Sequence, residues 1–181
     1  MKKAILFLSL VTITGSLMAQ KVTTTSAVVN FDATTPKDAL PKAENKTVIA
    51  SLDKTTGAVA FEAAVNNFAF SNPKIQEHFN AATWMNSASF PKFTFTGTVD
   101  KINKIKFNKD GTYKVNVTGN LTEKGIAKPI SAPATVTVAG GVISATSTFS
   151  VKLKDYEITG APIEAGKVAE KPTITVTASF N

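Results

Sequence analysis

The sequence predicts an all-β fold: an antiparallel sheet closed into a barrel of about eight strands, with one short helical insertion. Three observations carry this reading. Apolar residues alternate with Thr, Lys and Asn in one segment after another, the period-two signature of a sheet covered on one face. Gly-containing turn signals separate the segments. Helical periodicity occurs at a single place, just after Phe70. Several runs approach ten residues, a length found in barrels and large sandwiches, and closure removes the hazardous edges such strands would otherwise expose.

In chain order, Met1 to Ala19 reads as a secretory signal peptide. Lys2 and Lys3 form a positive start, Ala4 to Leu10 an apolar run that Val11 to Ile13 extends, and Gly15-Ser16 a break before Ala19. Leu17, not a small residue, stands third before the cut. The run is shorter than the roughly 20 apolar residues of a spanning helix, so no stable membrane anchor is expected. Residues 20–181 then form one domain, periplasmic or secreted. Residues 32–46 are polar with two prolines and read as a long surface loop.

The strands follow. Val59, Phe61, Ala63 and Val65 share one face after a turn at Thr55-Thr56-Gly57. The helical island comes next, with Ser71 or Asn72 as N-cap, Pro73 in the first turn, and Ile75 and Phe79 four apart on one face. A second helical turn covers Ala81 to Asn86. Phe93, Phe95, Gly97 and Val99 point inward, with Thr94 and Thr96 outward. Asp110-Gly111 signals a hairpin into Tyr113, Val115, Val117, Gly119 and Leu121. Ala134, Val136 and Val138 precede a Gly140-Gly141 hairpin; Ala145, Ser147, Phe149, Val151 and Leu153 follow it, and Ile174, Val176, Ala178 and Phe180 close the chain.

Composition narrows the chemistry. With no Cys and one His, neither a thiol nucleophile, a disulfide nor a multi-His metal site can form. The net charge of +7 is spread along strand faces without a basic block, which argues against nucleic acid and for solubility with a weak attraction to anionic surfaces. Gly140-Gly141 joins two strands, whereas a phosphate cradle leads into a helix. Glu77 and His78 could join a Ser in a hydrolytic site, but neighbours on a helix point about 100° apart, so Glu77 is badly placed to orient His78.

The Phe set has two readings, a filled core or a lined cavity, and alternation leaves both open. The mixture of large Phe with Ala, Gly and Ser on the inward faces favours a cavity. Its candidate wall is Phe61, Ala63, Val65, Phe93, Phe95, Val115, Val117, Phe149 and Leu153, with Phe79 from the helical island.

Three motifs add a resemblance. Glu77-His78-Phe79-Asn80, with Met85, Ser87, Phe90-Pro91, Phe93 or Phe95, and Gly97, is the first. Gly119-Asn120-Leu121-Thr122 with Gly125-Ile126-Ala127-Lys128-Pro129-Ile130 is the second, and Phe149 with Asp155-Tyr156-Glu157-Ile158 the third. In this order and spacing they resemble the YceI-like family, especially its Bacteroidetes-type members, over roughly Thr25 to Phe180. The resemblance implies a lipocalin-like barrel with an elongated apolar cavity. It implies an exported, non-catalytic protein that sequesters or carries a polyisoprenoid or related amphipathic lipid, such as an isoprenoid quinone or polyprenyl phosphate, with no other cofactor. It also allows a homodimer. His78, Trp84 and Tyr156 are candidates for the cavity mouth, Trp84 as a cap and Asp155-Tyr156 also as anchors of the last strands. Gly119 is read as a strand kink and Gly125 as a turn. Two departures stand out: Lys124 occupies a position where many members carry His, and Ala81-Ala82-Thr83-Trp84 replaces a more acidic, Tyr-containing stretch. The competing readings are an envelope interaction protein with a filled core and, third, a small hydrolase using His78.

Export is expected to remove 19 residues, so that N-terminal sequencing of the exported protein starts at Gln20, free or cyclised. A mature chain that keeps Lys2 contradicts the signal-peptide reading.

Overall fold

Nine strands and two helices make up residues 20–180, the part of the chain that the computed structural model describes. The signal peptide read at Met1–Ala19 lies outside the described residues. The strands are β1 (Lys21–Asp32), β2 (Lys42–Asp53), β3 (Ala58–Ala64), β4 (Ala69–Phe70), β5 (Lys92–Val99), β6 (Gly111–Glu123), β7 (Ile126–Ala139), β8 (Val142–Ser150) and β9 (Thr173–Phe180). Helix α1 covers Pro73–Asn80 and α2 Ala161–Glu164. The sheet order is β1-β9-β8-β7-β6-β5-β3-β2, and β1 pairs again with β2, which closes an eight-stranded antiparallel barrel. The two-residue β4 lies along the start of β2.

The first two strands differ from the expected loop at 32–46: only residues 33–41 separate β1 from β2. Both strands carry a slip in parity. In β1 the inward residues change from Val22 to Ala27, and the register with β2 shifts between Thr24 and Val29. In β2 they change from Ala43 and Asn45 to Val48, Ala50 and Leu52. A bulge inserts a residue and reverses the inward set beyond it, so simple alternation fails across both segments. Asn45 stabilises the slip. It is fully buried, accepts hydrogen bonds from the backbone and hydroxyl of Thr47 (both 2.9 Å), and donates to the Ala64 carbonyl (2.9 Å).

Turn chemistry explains most of the remaining connections. Lys124-Gly125 and Gly140-Gly141 have positive φ at both positions, the combination that matches strand twist in a two-residue hairpin. At Thr55-Thr56-Gly57, the Asp53 carboxylate accepts from the Thr55 and Thr56 amides (2.8 and 2.9 Å) and Gly57 has φ +76°. Asp110-Gly111 is not the expected hairpin. Residues 100–110 form a longer connection that includes a 3₁₀ turn at Ile102–Lys104, and Asp110 instead accepts from the Gly140 amide (3.0 Å).

One barrel end is covered by the two long excursions, residues 65–91 and 151–172. α1 belongs to the first. Asn72 caps it by accepting from the Lys74 amide (2.9 Å), and Pro73 needs no donor in the first turn. Phe79 is buried from α1 and meets Phe70, Phe68 and Phe31 at ring separations of 4.9, 6.0 and 6.3 Å. Tilted aromatic pairs at these distances add about 0.5–1.5 kcal/mol each beyond area burial. The second excursion holds the unexpected helix α2 and docks on the 33–41 loop through Ala169 N–H to the Ala33 carbonyl (2.9 Å) and Thr35 Oγ1 to the Gly166 carbonyl (2.8 Å).

Gly97 and Gly119 are direct cross-strand partners. A Cβ on Gly97 would lie 2.6 Å from Phe95 Cζ, and one on Gly119 2.7 Å from the same atom. The glycine pair therefore marks a close approach that seats the Phe95 ring against the sheet. Gly119→Ala is expected to destabilise by about 1–3 kcal/mol, the usual cost of overpacking, while Thr118→Ala on the exposed face stays within about 0.5 kcal/mol in denaturant unfolding. Equal effects would refute this packing.

Candidate functional site

Alternation places an apolar side chain from every barrel strand on the inner face, and the space they leave is an elongated cavity of about 160 Å³. Its wall runs the length of the barrel, from Leu52, Val99 and Phe180 at one end to Phe79, Met85 and Leu153 under the covered end. Among the described residues, Glu123 and Ser147 are the polar members of the inward parity, and Thr94 and Thr146, although of the outward parity, also border the cavity.

Of the residues proposed for the wall, Phe61, Ala63, Phe93, Phe95, Val117 and Phe149 line it from strands. Phe79 reaches it from α1, and Leu153 from the 3₁₀ turn Leu153–Tyr156 that follows β8. Val65 and Val115 do not line it. The chain leaves β3 after Ala64 and turns through a 3₁₀ segment, Val65–Asn67, so Val65 loses the strand parity. It is fully buried instead, its amide bound to the Pro91 carbonyl (2.9 Å). Val115 keeps the inward parity but sits beside Tyr113 along a separate cleft with Lys101 and Lys114.

The residues assigned to the mouth also separate. His78 is exposed on α1 and absent from the cavity wall. Trp84 is half-buried, its ring against Gly160, whose added Cβ would lie 3.4 Å from Trp84 Cζ3; it joins the two covering excursions. Tyr156 is 2% exposed and belongs to the core. Burial pushes its hydroxyl pKa up, with further contributions from the charges of Glu123 and Asp155.

Glu123 is the residue that alternation should have revealed. It continues the inward series Val117, Gly119, Leu121 by one step, at the last position of β6. The side chain is 9% exposed and lines the cavity. Burial alone raises its carboxyl from the ordinary 4.5 to about 7, since neither an opposite charge nor a hydrogen bond offsets the loss of water. The adjacent Lys124 turns away with φ +48° and its Nζ lies 3.4 Å from the Glu157 carbonyl.

A closed eight-stranded barrel with an apolar interior is of the class that can hold one small ligand. The particular family follows from comparison: the YceI-like domain matches residues 9–180, and the chain belongs to that family. It is similar to the protein YceI of Salmonella arizonae and of Salmonella newport, in each case 33% identical over 89 residues. That match covers 46% of this chain and 42% of the relative, less than half the length of either. Among solved structures, a polyisoprenoid binding domain from Saccharophagus degradans, implicated in plant cell wall breakdown, has a TM-score of 0.75 over 90% of this chain and 98% of its own, at 14% identity. BcnA of Burkholderia cenocepacia has a TM-score of 0.69 over 84% and 96%, at 20% identity. These likenesses are likenesses of fold.

The Glu123 carboxyl has a pH signature. Its folded pKa lies above the unfolded value, so the native state retains a proton that the unfolded chain releases. Stability is therefore greatest below about 4.5 from this group, falls as pH rises toward about 7, and is then lower by about 3 kcal/mol. Asp32 and Asp53, whose carboxyls are held below the usual range chiefly by hydrogen bonds from Thr34 and from the Thr55 and Thr56 amides, act at lower pH and in the opposite sense. Urea unfolding between pH 4.5 and 7.5 is expected to show this decline in the wild type and its loss in Glu123→Gln. An unchanged profile in the variant would place its origin elsewhere.

Proposed function

We propose that this protein is a non-catalytic barrel that sequesters or carries an amphipathic isoprenoid lipid, with the chain of the lipid lying along the barrel axis. The observation that carries this reading is a cavity that runs end to end with an almost wholly apolar wall. The polyisoprenoid binding named for the Saccharophagus degradans domain supports it by likeness of fold. Burying roughly 300 Å² of aliphatic chain at about 25 cal/mol per Å² gains about 7 kcal/mol before the cost of ordering. The protein would act outside the cytoplasm, with its leader cut near Ala19.

The cavity volume of about 160 Å³ is below the roughly 300–1,000 Å³ of ordinary ligand pockets. An extended aliphatic chain fits such a space only in single file, with half-buried wall residues such as Phe61, Phe93 and Phe149 moving aside. The same modest volume favours the rival, an envelope interaction protein with a filled core.

Organic extraction of the purified protein followed by mass spectrometry is expected to release an isoprenoid. Ala63, 6% exposed and in the wall, supplies the blocking variant. Ala63→Trp is expected to abolish isoprenoid uptake and the thermal stabilisation that added isoprenoid confers on the wild type. Should that side chain be too large to fold around, Ala134→Leu, also in the wall, is expected to reduce both. A folded Ala63→Trp with unchanged affinity places the ligand outside the barrel or off the path that Ala63 lines, and an extract without lipid from a protein that takes none up favours the filled core.

A further inference from the structure

Among the described residues, Glu123 is the one ionisable side chain in the wall of the cavity. Its place is set by the backbone: it ends β6 on the inward parity, at the covered end where Phe79, Met85 and Leu153 also reach the cavity. No described cation pairs with it, because Lys124 is directed to the Glu157 carbonyl. Its charge acts on the hydroxyl of Tyr156, which is buried behind the wall and neutral at ordinary pH. An unpartnered carboxyl in an apolar wall costs stability, and the barrel would be better packed with Leu or Ile there. That cost is offset when a bound molecule brings the missing partner.

Resting on the lipid-binding reading above, we propose that Glu123 recognises the polar end of the ligand, that this end is an uncharged oxygen such as a hydroxyl or a ring carbonyl, and that lipids ending in phosphate are rejected. Three headgroup chemistries can be weighed. A phosphate would bring negative charge beside a carboxyl in a wall that offers no cation, which is unfavourable in a medium of low dielectric constant. An ammonium would form an ion pair, but both charges would have to shed water and few other polar groups are present to complete their hydrogen bonding. A neutral oxygen avoids both costs. The protonated carboxyl donates to a carbonyl or hydroxyl, and the ionised one accepts from a hydroxyl, so an alcohol is matched in either state.

The test uses the mature chain freed of lipid and four probes of one chain length: geranylgeraniol, geranylgeranyl phosphate, geranylgeranylamine and the corresponding hydrocarbon. The wild type is expected to bind the alcohol about tenfold or more tightly than the hydrocarbon or the phosphate, which is the scale of one buried hydrogen bond. Glu123→Leu is expected to lose the preference for alcohol over hydrocarbon while still binding both. Glu123→Gln is expected to retain that preference and to relax, without abolishing, the discrimination against phosphate, since the apolar wall still offers the phosphate no cation. A folded Glu123→Leu that still prefers the alcohol, or a wild type that prefers the phosphate or the amine, overturns the assignment. Failure of every probe to bind the wild type overturns the lipid-binding reading itself, and this one with it.

Discussion

The architecture depends on β1 pairing on both of its edges, with β2 and with β9. Without that double pairing the sheet would open between β1 and β2, and the Phe and Val side chains of its inner face would meet water. Closure gives each of the eight barrel strands a neighbour on both sides and gives the chain an interior. The protein has no Cys to reinforce the ring. The aromatic cluster around Phe79 and the links between the 33–41 loop and the 151–172 excursion hold the covered end instead.

An interior so uniformly apolar makes each polar intrusion informative. Asn45 is buried but provided for, because its amide and carbonyl oxygen serve Ala64 and Thr47 at the slip in β2. Glu123 is buried and not provided for. The first polar group holds the barrel in shape. The second faces the cavity, which is why these two residues, similar in size and burial, lead to different conclusions.

Much of the barrel was legible because strands β3 and β5 to β9 keep strict period two, and a residue's face then follows from its number. β1 and β2 were hidden for a physical reason: each changes parity midway, so Val22 and Ala27 lie on one face although their spacing is odd. The site was legible to the same extent. Phe61, Phe93, Phe95, Val117 and Phe149 lie inside unbroken runs and reach the cavity wall. Val65 fails where the strand stops, and Tyr156 is drawn into the core by a 3₁₀ turn that alternation does not describe. Glu123 obeys the pattern, but its charge argued against the burial that its parity required.

The Gly140-Gly141 turn has a consequence for the chain before it is a barrel. From Pro129 to Val151 the sequence carries no charge and is dense in Val and Thr, alternating with Ala and Ser, a composition prone to strand pairing between chains. A polypeptide that closes its barrel by joining β1 to β9 must keep this stretch from intermolecular pairing until its last strand is available. A two-residue turn with both backbone angles preset lets β7 and β8 pair locally, in microseconds, long before the ends meet. Pro129 and Pro133 act in the same direction, since each withholds a backbone donor from a passing strand. Early pairing of Ala134–Ala139 with Val142–Ser147 would occupy the backbone groups of that part of the segment while the barrel is still open.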